Sequence, residues 1–351
     1  YFAEKRQEDN KSFEKWKSNL DNKLKNDGSF RKLWEQFEKY ELSFPENFKI
    51  QEAATRVTGG NYLKLIGLEN KFVLGGSADL AASTKQIISE ESYTNENRHG
   101  QNIEFGIREH SMAAIINGIS LHSNLFAFGS TFLVFSDYMR PSIRLASLMN
   151  LNSAYIFTHD SIYLGEDGPT HQPVEHLMSL RLIPGLDVIR PSNSVETIYA
   201  YKYLFSNTKN PKVLSLTRQN LKFLEYDVDY SDFLNGGFII SKGEDLTIFA
   251  SGSEVNLALE IKETLKEYSV QVVSVPILNK LTPKISESLN NNKLTFTIEL
   301  GKAAGWSDYI GNITESFSVQ TFGKSAPEND LAEFFNVNAE SIGKKIRNYL
   351  G

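Results

Sequence analysis

The sequence has 351 residues, of which 40% are hydrophobic and 23% are charged, as in ordinary globular proteins. This length suits two domains. The formal net charge of −6 argues against an extended nucleic-acid-binding surface, although a local cluster of Arg and His can still bind phosphate. Cysteine is absent, which excludes disulfides and Cys-based metal sites and fits a cytoplasmic protein. No apolar run approaches the roughly 18 residues of a membrane-spanning helix.

Residues 1–49 are predicted to form a helical arm. The segment is dense in charged residues, and its apolar residues recur at helical spacing in two runs, which Asn26-Asp27-Gly28 separate. Pro45 is predicted to end the arm. The two runs are Phe13, Trp16, Leu20 and Leu24, followed by Leu33, Phe37 and Tyr40.

After the arm, two α/β domains are predicted, over residues 50–230 and 236–351. Short apolar runs alternate with helical patterns in both, which is typical of doubly wound, mainly parallel sheets. A connector rich in Asp and Tyr is predicted within residues 221–235. The clearest predicted strands are 71–74, 102–105, 125–128, 154–158, 187–190, 212–216, 246–250, 270–275 and 294–299.

Residues 164–175, with the sequence LGEDGPTHQPVE, are the most informative segment for function. Two glycines and two prolines exclude an ordinary helix or strand, because Gly opens unusual dihedral angles and Pro lacks a donor. The segment carries Asp167 and His171, and His159 lies just upstream. The crowding of these residues favours the polar wall of an active site over a simple surface turn.

Glu109 lies near the start of a predicted helix over Ile107–Leu121, one turn before Met112. Its carboxyl can therefore face the same apolar layer as that methionine. In such a setting its pKa would be raised, and it could share a proton with a ligand nitrogen. An exposed glutamate stabilised by the helix dipole is an equally good interpretation of the spacing.

Phe132, Phe135 and Tyr138 recur every three residues and predict one aromatic face on a helix over 132–148. Such a face packs in a core more often than not, but it can also stack on a flat heterocycle.

Arg218 comes just after the predicted strand 212–216, a position from which a guanidinium can bind a phosphate. Arg56 and Ser83 are further candidate anion contacts. Each of these residues taken alone also fits a structural or surface role. The sequence lacks HExxH, GxSxG, GxxxxGK[ST] and a GxGxxG that opens a βα unit, and no metal-ligating residues are predicted in it.

In their order and spacing, these segments resemble the transketolase family along nearly the whole chain. Members of that family are thiamine-diphosphate enzymes of the pentose phosphate pathway that move a two-carbon ketol unit between sugar phosphates. The matching phrases are GGSADL (75–80), EFGIREHSMAAIINGISLH (104–122), STFLVFSDY (130–138), THDSIYLGEDGPTHQPVEHL (158–177), RPSN (190–193), LTRQN (216–220), ASGSEV (250–255) and FGKSAPE (322–328).

The resemblance implies a role for each candidate on the cofactor side. Glu109 matches the catalytic glutamate that hydrogen-bonds the pyrimidine N1′ of the cofactor and promotes its imino tautomer. Phe132, Phe135 and Tyr138 match the aromatic pocket around the aminopyrimidine. Asp79 matches an acidic residue near the cofactor.

The resemblance also implies the substrate contacts. Asp167 matches the residue that selects the configuration of the C2 hydroxyl. His159 and His171 match catalytic histidines that bind sugar hydroxyls or phosphate. The phosphate end matches Arg56, Ser83, His159 and Arg218.

Two departures from the family pattern stand out. Tyr163 replaces the usual glycine, and a large aromatic beside the substrate channel is expected to narrow it or alter sugar preference. The family binds the diphosphate and a divalent metal, Mg²⁺ or Ca²⁺, through an earlier domain with a GDG motif, which this sequence lacks. The chain is therefore expected to comprise only the pyrimidine-binding and C-terminal domains.

The resemblance implies a homodimer that needs a diphosphate-binding domain for activity, so the chain alone is expected to be inactive. The alternatives are a natural split-enzyme subunit, a dihydroxyacetone synthase-like enzyme and a non-catalytic dimerising remnant.

Overall fold

The structure, a computed structural model, describes residues 1–222, 226, 228–290 and 292–351. Part of the predicted connector therefore lies outside the described residues. The chain divides into two compact units, residues 1–42 and 43–351. Among the described residues, no helix is both long and apolar enough to cross a membrane.

The first unit contains the predicted helical arm as two helices, α1 (Phe2–Asn26) and α2 (Gly28–Glu38). They are interrupted at Asp27, whose carboxylate accepts a hydrogen bond from the amide of Phe30 at 2.9 Å and so caps α2. That bond is the main cause of an Asp27 pKa lowered to about 2. Neither helix buries a residue.

The second unit begins with a six-stranded, fully parallel sheet in the order β2-β1-β3-β4-β6-β5. This first-sheet region confirms the predicted doubly wound α/β fold. Its strands are β1 (Val73–Ser77), β2 (Asn102–Glu104), β3 (Phe126–Phe132), β4 (Ala154–Thr158), β5 (Asp187–Ile189) and β6 (Lys212–Leu216). Its helices are α3 (Thr55–Glu69), α4 (Ala81–Thr84), α5 (Glu109–His122), α6 (Ser136–Leu148), α7 (His176–Arg181) and α8 (Ser194–Leu204).

Strand register brings the candidate residues to one edge of this sheet. Phe132, the last residue of β3, pairs with Thr158 of β4, which in turn pairs with Leu216 of β6. The segments that follow these three strands therefore emerge side by side. In open α/β sheets, this carboxyl edge is where ligands bind.

The second-sheet region has five strands in the order β11-β10-β8-β9-β7, parallel except for the edge strand β7, which runs antiparallel to β9. Strands β7 and β11 escaped the sequence analysis because both are short and only partly buried. The strands are β7 (Phe238–Ser241), β8 (Leu246–Ala250), β9 (Val270–Ser274), β10 (Leu294–Glu299) and β11 (Glu315–Ser318). The helices from residue 230 on are α9 (Tyr230–Leu234), α10 (Glu254–Thr264), α11 (Pro283–Leu289), α12 (Ser307–Ile310), α13 (Glu328–Phe334) and α14 (Ala339–Leu350).

The helix predicted over 132–148 is wrong at its start. Phe132 ends β3, residues 133–135 form one turn of 3₁₀ helix, and α6 begins only at Ser136. The strand takes precedence because residues 128–132 pair with β4 along their whole length. Periodicity alone could not separate a buried strand end from the helix that follows it.

Candidate active site

His159 follows β4 and is the centre of the candidate site. Its backbone adopts φ of 60°, a left-handed conformation that is uncommon outside glycine and asparagine. The imidazole is only 5% exposed and lies against the ring of Phe132, with ring centroids 3.7 Å apart. Its Nδ1 lies 2.7 Å from the hydroxyl of Thr158. The ring is therefore fixed on one face by an aromatic and at one nitrogen by a hydroxyl.

Two guanidinium groups lie near His159. Burial and the positive charges of Arg56, Arg218 and His171 lower the pKa of His159 to about 3. Burial and Arg218 also lower the pKa of Arg56, whose Nη1 donates to the backbone carbonyl of Ser83. Positive groups placed this close together favour an anion between them, because its charge offsets their repulsion. The structure thus brings together all four residues predicted for the phosphate end.

The hydrogen-bond donors of Arg56 also favour a bound anion. Its Nε is buried and has no hydrogen-bond partner among the described residues. A buried unpaired donor is costly unless a ligand or water accepts from it. Arg218 itself is exposed at the end of its strand.

The 164–175 loop presents Asp167 and His171 in different settings. Asp167 is exposed, whereas His171 is half-buried with its ring edge against Phe135 at 5.5 Å between centroids. Gly165 and Gly168 adopt φ of 94° and 75°, which explains the glycines that the sequence places there. The glycines of the predicted loop thus occupy backbone conformations that other residues rarely adopt.

Phe132, Phe135 and Tyr138 form an aromatic wall in which solvent exposure increases from the first ring to the last. Phe132 and Phe135 are stacked, with centroids 5.8 Å apart and planes 7° from parallel, and Phe135 lies 6.1 Å from Tyr138. Phe132 is buried, Phe135 is half-buried and Tyr138 is 64% exposed. Although the predicted helical face does not exist, a strand end, a 3₁₀ turn and a helix start still align the three rings.

Glu109 and Asp79, the acidic candidates for the cofactor side, follow the neighbouring strands β2 and β1. Glu109 is half-buried in the first turn of α5, on the helix that buries Met112 and Ile116. Asp79 is exposed and adopts φ of 60° after β1. Among the described residues, neither carboxylate has a hydrogen bond or ion pair. Their predicted roles stay predictions.

The sequence analysis missed a buried ion network next to His159. Arg190 donates from Nε to Oδ2 of Asp160 at 2.8 Å and from Nη1 to Oε1 of Glu254 at 2.8 Å. None of these three side chains is exposed to solvent. The sequence did contain a signal for this network, since a charged residue follows each of three buried strands. These residues are Asp160 in THDS, Arg190 in RPSN and Glu254 in ASGSEV.

Tyr163 packs beside the 164–175 loop. Its ring lies against a cluster of residues mainly from the second-sheet region, and its hydroxyl donates to the carbonyl of Val337 at 3.4 Å. The side chain also lines a cleft with Gln219, Asn256 and Glu328. Its expected effect on a substrate channel stays a prediction.

One group of potential metal ligands occurs among the described residues. Asp137, Glu175 and His176 bring ligand atoms within 4.8 Å of one another, with His176 Nε2 at 3.2 Å from Asp137 Oδ2. Both carboxylates are exposed, and the Asp137 contact is an ordinary histidine–carboxylate hydrogen bond. We assign no metal to it.

Two family models match the chain in succession. Residues 51–223 match the transketolase pyrimidine-binding domain, and residues 236–338 match the transketolase-like C-terminal domain. The transketolase of Halalkalibacterium halodurans is 41% identical over 305 residues, which covers 83% of this chain and 46% of the relative. The chain thus spans about half the length of the curated relatives it matches.

Solved structures show the same fold. A Pichia stipitis transketolase in complex with sedoheptulose 7-phosphate superposes with a TM-score of 0.85 at 28% identity, over 97% of this chain and 53% of that one. A split gene transketolase, described as an inactive β4 tetramer, gives a TM-score of 0.71 at 22% identity, over 85% of this chain and 98% of that one. The second likeness concerns the fold alone. On the two family models and the curated relatives, the chain belongs to the transketolase family, which it matches through the pyrimidine-binding and C-terminal domains.

Proposed function

We propose that this chain supplies the pyrimidine-binding and C-terminal part of a transketolase, which transfers a two-carbon ketol unit between sugar phosphates. The observation that carries the proposal is the convergence of Arg56, Arg218 and His171 on His159 beside the aromatic wall. A cytoplasmic location in pentose phosphate metabolism belongs to the same proposal.

The phosphate of the substrate would bind between Arg56 and Arg218. The unpaired Nε of Arg56 favours a bound anion, and so does the pKa of Arg56, which burial and the neighbouring charge of Arg218 lower. The sugar phosphate held by the Pichia stipitis relative is a ligand of this kind. Ser83 contributes through its backbone carbonyl, which fixes Arg56.

The sugar hydroxyls would lie against the histidines and Asp167. With a pKa near 3, His159 is a neutral imidazole at physiological pH. Because Thr158 engages Nδ1, the Nε2 atom is the one available to a substrate hydroxyl. Asp167, exposed on the loop, is free to accept a hydrogen bond from the C2 hydroxyl.

The open half of the site suits the aminopyrimidine of thiamine diphosphate. The half-buried Phe135 and the exposed Tyr138 would present ring surface to it, with the buried Phe132 packed behind Phe135. Glu109, half-buried and unpaired among the described residues, would hold a proton at the pyrimidine N1′, with Asp79 nearby. When bound, the cofactor supplies the nucleophilic carbon and the electron sink for ketol transfer.

The remaining partners are proposed from the family. A diphosphate-binding domain would hold the diphosphate and Mg²⁺ or Ca²⁺, and a homodimer would complete each site. Exposed apolar side chains on and beside the packed helices α5 and α6 support a protein interface there. They are Ile107, Ile115, Leu121, Leu145, Leu148 and Met149.

A natural split-enzyme subunit is the second candidate. The observation in its favour is that this chain covers 98% of the split gene transketolase chain of the same fold. In that case a separate protein would supply the diphosphate-binding half.

Calorimetric titration with thiamine diphosphate and Mg²⁺ tests the proposal. We expect weak binding to the chain alone and at least tenfold tighter binding once a separately produced diphosphate-binding domain is added, because half of the site is then supplied. Ketol transfer should appear only in the mixture.

Glu109→Gln is the variant for this test, and Glu104→Gln, at an exposed carboxylate at the end of β2, is its matched control. The first should abolish ketol transfer in the mixture and the second should leave it unchanged. Full activity of the chain alone, or an active Glu109→Gln mixture, would contradict the proposal.

A further inference from the structure

Two segments of the second-sheet region have no part in the proposed function. They are residues 250–255 (ASGSEV) and 322–328 (FGKSAPE). Both lie against the carboxyl edge of the first sheet, where the substrate residues emerge, and neither supplies a residue proposed to touch the substrate.

The first segment reaches His159 through Arg190. Arg190 donates from Nη1 to Oε1 of Glu254 at 2.8 Å and to the carbonyl of Ser251 at 2.7 Å, while its Nε holds Asp160. Asp160 is the residue directly after His159, whose backbone is left-handed. Since the guanidinium is fully buried and fork-shaped, it fixes the direction in which the chain leaves β4.

The second segment holds the 164–175 loop through Gln172. The Nε2 of Gln172 donates to the carbonyls of Gly165 at 3.0 Å and Lys324 at 2.8 Å, so one amide joins the loop to the segment. Gly323 leaves room for it, because a Cβ there would lie 1.6 Å from Gln172 Oε1.

A second bond joins the same pair of segments. The hydroxyl of Ser325 donates to the backbone carbonyl of Glu166. Glu166 and Gln172 flank the stretch that carries Asp167 and His171. Asp167 and His171 are thus flanked on both sides by side chain–backbone hydrogen bonds with residues 324–325.

The side chains of Asp167 and His171 are not fixed by burial, since the first is exposed and the second half-exposed. Among the described residues Asp167 has no hydrogen bond or ion pair, and His171 contacts Thr170, Phe132 and Phe135. Their positions therefore depend on the backbone of the loop.

We propose that segments 250–255 and 322–328 position the substrate wall, with Glu254 and Ser325 as positioning residues for His159 and for the 164–175 loop. This inference rests on the proposed function. It gives the second-sheet region a role in substrate affinity that requires no contact with the substrate.

The test uses the full chain and two variants, Ser325→Ala and Glu254→Gln. The first readout is hydrogen exchange at the amides of His171 and Gln172, which both donate to the carbonyl of Gly168. The second is the Kd for ribose 5-phosphate, followed by the NMR signals of His159 and His171. We expect faster exchange in Ser325→Ala and an affinity about three- to tenfold weaker in both variants. Ser325→Ala loses a hydrogen bond, and Glu254→Gln removes the negative charge that strengthens the bond from Arg190.

Lys280→Ala is the matched control. It removes the 3.1 Å ion pair with Asp187, another contact between the two sheet regions, which touches neither His159 nor the loop. We expect it to keep the exchange rates and the Kd of the wild type. A Lys280→Ala chain as impaired as the two variants would overturn the proposal, since general docking would then explain the effect.

The remaining outcomes separate the two proposals. If the wild type binds ribose 5-phosphate and both variants keep its Kd and its exchange rates, the positioning role is overturned and the proposed function stands. No histidine shift with ribose 5-phosphate in the wild type refutes the proposed substrate wall, and the positioning role with it. Because Ser325 is exposed and its replacement small, that variant keeps the test decisive even if Glu254→Gln fails to fold.

Discussion

The two sides of the candidate site differ in how completely this chain builds them. On the substrate side, His159 is 5% exposed, stacked on Phe132 and followed by an aspartate in a fully buried ion network. On the cofactor side, Glu109 is half-exposed, and Asp79 and Tyr138 are exposed.

This difference shows that the position of a polar side chain is fixed by the groups that bury it, in addition to its place in the sequence. The position of His159 is fixed because the next residue, Asp160, belongs to a buried ion network that includes Glu254 of the second-sheet region. Buried ions with several hydrogen bonds have one geometry. The cofactor side is covered by nothing in the described chain, which agrees with the proposal that another domain completes it. Three predictions test the contrast.

The largest effect is expected from Arg190→Met. The change leaves Asp160 and Glu254 as buried carboxylates without their shared cation, and breaking a buried pair costs about 3–5 kcal/mol of unfolding free energy. Urea denaturation measures it. Lys222→Met, which breaks an exposed pair with Glu260, is the control and should cost about 1 kcal/mol or less. Equal losses in the two variants would mean that the buried network stabilises the fold no more than an exposed ion pair does.

The next prediction compares the loss of unfolding free energy at the buried and the exposed end of the aromatic wall. Phe132→Ala removes a ring that is 6% exposed and should lower the unfolding free energy by about 3 kcal/mol. Tyr138→Ala removes a ring that is 64% exposed and should change it by about 0.5 kcal/mol or less. Thermal unfolding of both variants checks this. A large loss for Tyr138→Ala would show that the cofactor side is already packed.

The smallest effect concerns pH. Burial, Arg56, Arg218 and His171 hold the pKa of His159 at about 3, whereas the unfolded chain protonates this residue near pH 6.5. Between pH 3 and pH 6.5, His159 is therefore protonated in the unfolded state and neutral in the folded state. The stability that neutral His159 contributes is complete above pH 6.5 and is lost as the pH falls towards 3.

An NMR titration should show the His159 imidazole neutral down to at least pH 4.5. His159→Gln should lose less unfolding free energy than the wild type between pH 7 and pH 5. A His159 signal that titrates near pH 6.5 would refute the buried substrate wall.

The sequence predicted the local features of the substrate side. The glycines and prolines of 164–175 predicted an irregular loop, and the positions of His159 and Arg218 after apolar runs placed both just after strands. These are short-range consequences of dihedral preference and strand pattern. The helical aromatic face failed because three-residue spacing also fits a strand that turns into a helix.

The residue types, their order and the family resemblance were determined by the sequence alone. Tertiary structure decided that Tyr163 packs against residues of the second-sheet region. It also decided that Arg190 joins Asp160 to Glu254, although Arg190 and Glu254 are 64 residues apart along the chain. Such contacts depend on how two sheets pack, and no local pattern encodes the distance between residues so far apart. Burial, and with it the depressed pKa of His159, is likewise a property of the packed molecule, because desolvation comes from neighbours that the sequence does not identify.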